Sequence, residues 1–242
     1  MRTSFVGVEG GSVCLGPAVV AWASSGHRPD PISLAALSGP DLLRLDELAP
    51  ELRNRFVVGR LLIHSLVAGL FPEATEWMVA AGPCRRCGRL HAGVQLEGVP
   101  ACASVSYAAD AVVVAVAPTS QVSRLGVDVE FGVADIGRVE ELRRALGTST
   151  EPILRRWTRV GAVLKADGRG LLIDPGSVHL RRGGAWIAGQ AASYAVTEVP
   201  GPPGFHVSLA WCSVAPVGAV PAQTGRRMTG AAGARWTPRP LR

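Results

Sequence analysis

Of the twenty-five basic side chains in this 242-residue chain, one is lysine: Lys165. It lies in Trp157-Thr-Arg-Val-Gly-Ala-Val-Leu-Lys165-Ala-Asp-Gly-Arg-Gly-Leu171. An ammonium is a compact point charge whose protonation responds to desolvation, whereas a guanidinium is not, so a lone lysine is a candidate for specific chemistry. Arginine-favouring codon bias accounts for a lone lysine equally well. A second candidate is Gly126-Val-Asp128-Val-Glu130. Strand alternation sends both carboxylates to one face and Val127 and Val129 to the other. Two acids with an apolar back suit Mg2+, which takes one or two carboxylates and completes its shell with water and substrate phosphates. The same pentapeptide also describes a solvated acidic edge.

The elements that must position these residues follow from periodicity. From Asp41 to about Leu70 the pattern is helical, with Phe56, Leu61 or Leu62, Leu66 and Leu70 recurring near helical spacing. Ala103 to Tyr107 is a short strand candidate, Ala111 to Pro118 a buried strand and Leu125 to Glu130 another. The simplest pairing joins the last two through a turn at Thr119 to Ser123. Pro152 to Ala166 reads as a helix, with proline at its start and Gly168 just past its end. Position 161 and Lys165 then share a face. Position 161 is glycine, which costs about 1 kcal/mol in a helix interior relative to alanine, so it marks either close packing or a side chain that was lost. Val178–Leu180, Trp186–Ala188, Ser193–Val199 and Phe205–Val214 alternate like strands of a meander. Helices followed by strands, twice over, predict an α+β fold of two similar halves. The expected division is residues 1–118, residues 119–215 with the acidic strand and the lysine helix, and a disordered tail over 216–242.

Composition narrows the function classes. Apolar residues make up 48% of the chain, enough for one large core or two small ones. No apolar run approaches the ~18 residues of a membrane helix, and the N-terminal stretch, interrupted by Glu9, is a poor signal peptide, so the cytoplasm is the expected location. The net charge of +6 includes Arg226, Arg227, Arg235, Arg239 and Arg242 in a tail without acids; taking these five away leaves +1. With no basic stripe interleaved with aromatics in the body, nucleic-acid binding is not expected. Five cysteines at scattered positions suggest no disulfide framework. Cys84, Cys87 and His91 make three-quarters of a zinc site at best, and ordinary thiols in a tight turn are the preferred reading.

At these residues the chain resembles the 4'-phosphopantetheinyl transferases, in particular the monomeric type that activates polyketide and nonribosomal peptide synthetases of secondary metabolism. The paired signature is Gly126-Val-Asp-Val-Glu130 followed by Trp157-Thr-x-x-x-Ala-x-x-Lys165-x-x-Gly-x-Gly-Leu171. Arg55-Phe-Val-Val-Gly-Arg60, Cys87-Gly-Arg-Leu-His91 and Ser104-Val-Ser-Tyr107 resemble further family segments in the same order. The resemblance implies a monomer built as a pseudo-dimer of two α+β halves, with coenzyme A in the cleft between them. It also implies a Mg2+ ion bridging the coenzyme pyrophosphate to acidic residues, and a carrier-protein serine attacking the β-phosphate. Carried over by position, Asp128 and Glu130 would hold the metal and Lys165 would contact the phosphate near the reacting centre. Arg55 would bind the nucleotide phosphate, with Arg60, Ser106 and Tyr107 lining the coenzyme, while Trp157 would mainly pack the helix.

The chain departs from the family pattern at several of these points. Val160 and Gly161 stand where the family has lysine and glutamate, the latter a metal ligand or general base. Ala92-Gly93-Val94 replaces a Gly-Lys-Pro turn, Ser106-Tyr107-Ala108 replaces Ser-His-Ser, and the link from Glu130 to Trp157 is shortened where carrier proteins dock. Three readings follow. The first is slow or specialised transfer of phosphopantetheine to an acyl or peptidyl carrier protein. The second is an enzyme on the same scaffold performing acid–base chemistry, such as cyclisation, dehydration or isomerisation, on a small pathway intermediate without coenzyme A. The third is a non-catalytic module that binds a carrier protein.

Overall fold

The computed structural model describes residues 2–5, 8–26, 37–83 and 90–214. Cys84, Cys87 and the tail from residue 216 lie outside the described residues, as does the side chain of His91.

The fold is mixed α+β. The chain begins with β1 (Arg2–Phe5), β2 (Val8–Leu15) and β3 (Ala18–Ser24), then α1 (Gly39–Glu47) and α2 (Pro50–Leu70). The strands β4 (Met78–Pro83), β5 (Leu90–Glu97), β6 (Ala101–Ala108) and β7 (Ala111–Pro118) complete the first part. The second part runs β8 (Val122–Phe131), α3 (Ile136–Leu146), α4 (Ile153–Asp167), β9 (Val178–Arg181), β10 (Gly184–Ile187), β11 (Ser193–Glu198) and β12 (Phe205–Ser213). One sheet has the order β1-β2-β3-β7-β6, another β8-β12-β11-β10-β9, and β4 pairs with β5 in a separate hairpin. Among the described residues, from β3 onward each part therefore repeats one order: a strand, two α-helices, then four strands whose last member pairs antiparallel with the first.

Three apolar clusters lie between four layers. Phe56, Leu62 and Ile63 of α2 pack on Ala21, Val112, Val114 and Val116 of the first sheet. The opposite face of that sheet, with Val20, Val113 and Ala115, meets Val127, Val129, Val207 and Leu209 of the second. The far face of the second sheet, with Val196 and Ala210, receives Ala162, Val163 and Ala166 of α4. The all-valine–alanine run of β7 is explained by this position, since a strand buried on both faces needs no alternation.

This layering corrects the expected hairpin between residues 111–118 and 125–130. β7 pairs with β3 and β6, β8 pairs with β12, and the two strands belong to different sheets. A short turn only brings two strands near each other; both edges of β7 are taken by β3 and β6, so the following strand joins the next layer. The predicted meander is present as β9 to β12. The long N-terminal helical stretch is two helices, the first capped by Ser38, whose hydroxyl accepts from the Asp41 amide. The lysine helix starts after Pro152 and stops at Gly168, whose left-handed φ of 85° lets its amide reach the carbonyls of Leu164 and Lys165.

Candidate functional site

The seam between the two parts is built from β8, β6 and α4. Among the described residues β8 is the terminal strand of its sheet, with no strand paired to its outer edge. β6 lies across it, and the hydroxyls of Ser104 and Ser106 accept hydrogen bonds from the amides of Val127 (3.0 Å) and Val129 (3.2 Å). On the other side α4 approaches β8 closely through two glycines. A Cβ at Gly126 would stand 2.1 Å from the Ala162 carbonyl oxygen, and a Cβ at Gly161 would stand 2.2 Å from Asp128 Oδ2. At Gly126 the obstacle is helix backbone, whereas at Gly161 it is the Asp128 side chain, which a larger residue would have to push aside. Of the two meanings open for Gly161, the structure supplies close packing: the Asp128 carboxylate fills that space.

Lys165 reaches back from the last turn of α4 into this seam. Its Nζ lies 2.7 Å from Asp128 Oδ1 and donates to Ser106 Oγ at 2.5 Å, with the Val105 carbonyl oxygen at 3.5 Å. Ser106 in turn donates to Asp128 Oδ1 at 3.0 Å. With the Val129 amide and Lys165 as donors to it, the hydroxyl has used its one proton and both lone pairs. The Lys165 side chain is 35% exposed and the Asp128 side chain 11%. The cluster is thus open to water mainly on the lysine side. Asp128 and Ser208 are register partners across β8 and β12, and Ser208 hydrogen-bonds Thr158 of α4 at 2.9 Å, which locks the helix over the strand.

Glu130, one alternation further along the same face, is held differently. Its Oε1 accepts from the Trp157 indole at 2.8 Å and lies 3.5 Å from an Arg138 guanidinium nitrogen, whose central carbon sits over the Trp157 ring. Trp157, expected mainly to pack the helix, is therefore also the donor that fixes Glu130. Nothing in the sequence spacing announces this pairing, because Arg138 comes from α3.

The expected coenzyme-lining residues divide between the two faces of β6. Ser106 faces the seam. Tyr107 points the opposite way, onto α2, where its hydroxyl is so close to Gly59 that a Cβ there would stand 2.8 Å away. The Arg55 guanidinium lies over the Tyr107 ring, 5.5 Å from its centre. Burial pushes the Tyr107 phenol above its usual pKa, with Arg60 and Arg55 opposing. Arg60, expected at the coenzyme, is buried instead in an ion pair with Asp41: Nε to Oδ1 is 2.6 Å, with side-chain exposures of 6% and 3%. Its guanidinium stacks on Phe56 at 4.4 Å. The Asp41 partner was not singled out in the sequence, and its nineteen-residue separation carries no periodic signal.

The donor set can be tested against Mg2+. One oxygen of Asp128 carries an ammonium and a hydroxyl, the other is pressed on α4 at Gly161, and Glu130 carries an indole and a guanidinium. Among the described residues no three His, Cys, Asp or Glu side chains gather where a metal could sit. Mg2+ requires oxygen ligands near 2.1 Å in an octahedron, and at Asp128 it would face the Lys165 ammonium. As arranged, Asp128 is committed to an ion-pair network, and Mg2+ at that carboxylate would have to displace the Lys165 ammonium.

A surface groove of about 500 Å³, bordered by Arg181, Tyr194, Trp211 and Cys212, lies at the far end of the second sheet and holds none of the seam residues. Convergent polar chemistry, not cavity size, singles out the seam. Close by that groove, Tyr194 donates to Asp167, which also binds Arg124 and Arg169; burial and that carboxylate push the phenol up to about 12. No helix among the described residues is long and apolar enough to cross a membrane. No family model matches the chain, and no curated protein matches it.

Proposed function

We propose that the chain is a divergent phosphopantetheinyl transferase, a pseudo-dimer of two similar α+β halves that transfers 4'-phosphopantetheine from coenzyme A to a carrier-protein serine. The observation that carries this reading is the place of the only lysine: its ammonium sits at the junction of the two repeated parts, bonded to Asp128 of one and Ser106 of the other, and partly open to solvent. The repeated order of strand, two helices and four strands supports the same scaffold.

In this reading Lys165 neutralises charge on the phosphate at the reacting centre, where low local dielectric strengthens the contact. Asp128 and Ser106 orient the ammonium. The serine oxygen bonds to the β-phosphorus, the bond to adenosine 3',5'-bisphosphate breaks with its electron pair, and the serine proton passes to water because position 161 offers no carboxylate. Loss of a general base lowers rates by about 10²- to 10⁴-fold, so transfer is slow.

The test is mass spectrometry of an apo carrier protein incubated with coenzyme A and this protein, alongside calorimetry of coenzyme A binding. A phosphopantetheine mass increment lost in Lys165→Ala supports the reading; no increment and no binding at millimolar coenzyme A rejects it. The withdrawal of Arg60 into the Asp41 pair and the filling of the Gly161 space by Asp128 favour a second reading. There the Lys165–Ser106–Asp128 cluster serves acid–base chemistry on a small pathway intermediate, without coenzyme A. That reading expects no coenzyme binding and a Lys165→Arg variant that folds normally but loses turnover of the intermediate.

A further inference from the structure

We infer that this centre is built to work without a divalent cation: Lys165 is the cation it offers to an anionic ligand, and Asp128 is a positioning residue that holds the lysine until a ligand phosphate takes the carboxylate's place. The inference rests on the proposed function only for the choice of phosphate as ligand class; the exchange of partners rests on the geometry.

Asp128 Oδ1 already has two donors, the Lys165 ammonium at 2.7 Å and the Ser106 hydroxyl at 3.0 Å. Oδ2 occupies the space that any side chain at position 161 would claim, 2.2 Å from an ideal Cβ. Ser106 has no lone pair left for a metal-bound water, since the Val129 amide and Lys165 take both. A dication entering at Asp128 must first expel a like charge, the Lys165 ammonium, and it meets no carboxylate at position 161. An anion instead exchanges with the Asp128 carboxylate on an ammonium that is already partly open to solvent, and it needs no ligand from position 161. Lys165 is the most exposed member of the cluster, and an ammonium on a flexible stem has three donors to redistribute. A phosphate oxygen can take the place of Asp128 Oδ1 while Ser106 keeps its hold on the lysine. The glycine and the lysine–aspartate pair are therefore one arrangement: removing the side chain at 161 makes room for the carboxylate that holds the cation.

A single lysine makes the protein its own reporter. In full-length protein labelled with 13C-lysine, one Cε resonance reports on Lys165. Millimolar Mg2+ alone should leave that resonance in place. Inorganic pyrophosphate should shift it saturably in EDTA, along the same curve as in Mg2+. In Gly161→Glu, which displaces the Asp128 carboxylate and restores an acidic side chain, Mg2+ alone should move the resonance. A saturable shift with Mg2+ alone in the unaltered protein overturns the inference, as does a pyrophosphate response that requires Mg2+ or no response to pyrophosphate at all. The absence of phosphopantetheine transfer to a carrier protein would reject the proposed function and leave these outcomes intact.

Discussion

Two ion pairs in this molecule have nearly the same length and opposite characters. Arg60 and Asp41 lie 2.6 Å apart with neither side chain more than 6% exposed; Lys165 and Asp128 lie 2.7 Å apart with the lysine 35% exposed. The first joins two helices of one part, is backed by Phe56, and uses a planar guanidinium with fixed donor directions. The second bridges the two parts with the more adaptable cation. A closed arginine pair specifies packing, whereas a half-open lysine pair can exchange its partner, and only the second stands where both repeated units contribute groups.

If that contrast is right, breaking the closed pair harms stability most. Arg60→Ala strands a buried carboxylate and should lower unfolding free energy by about 3–5 kcal/mol, read from denaturant midpoints. Gly161→Ala pushes a methyl into the Asp128 carboxylate and should destabilise by about 1–3 kcal/mol while releasing Lys165. A stability equal to the unaltered protein would mean that Asp128 moves freely and that the seam is not held as described. Lys165→Met should cost about 1–2 kcal/mol, less than the arginine variant, because water can reach Asp128 once the ammonium is gone. A loss as large as that of Arg60→Ala would erase the distinction between the pairs.

The smallest effect concerns pH. His64, its ring tilted against Trp77 with centroids 4.5 Å apart, has its pKa lowered from 6.5, first by burial and then by Arg60, with Asp41 opposing. The unfolded chain therefore takes up this proton more readily than the folded one. Its contribution to stability is full above about pH 6.5 and is lost as pH falls toward the lowered folded value. A His64→Gln variant should flatten that part of the stability–pH curve, and identical curves for the two proteins would exclude His64 as its source.

What could be read in advance, and what could not, divides along sequence distance. The acidic strand, the lysine helix and its Gly168 stop, and the four-strand meander all carry local signals, either alternation or a start and stop residue. The partners of those residues do not. Asp128 with Ser106, Glu130 with Arg138 and Trp157, and Arg60 with Asp41 depend on which layer each element joins. The hairpin expected between β7 and β8 failed for the same reason: contiguity in sequence says nothing of a change of sheet. Gly161 was legible as an anomaly but not as a solution, because the group that fills its space lies 33 positions earlier.

The serine hydroxyls laid on β8 have a consequence for the behaviour of the chain before it is fully folded. An uncovered terminal strand is a template on which other chains can add, and the inner stretch of β8 is buried and rich in valine. Ser104 and Ser106 occupy two amides of that template from within the same molecule. A fragment beginning near residue 119 would lack both serines, so β8 would present those amides to neighbouring chains. Joining the first repeat to the second thus withholds two amides of β8 from pairing with another chain.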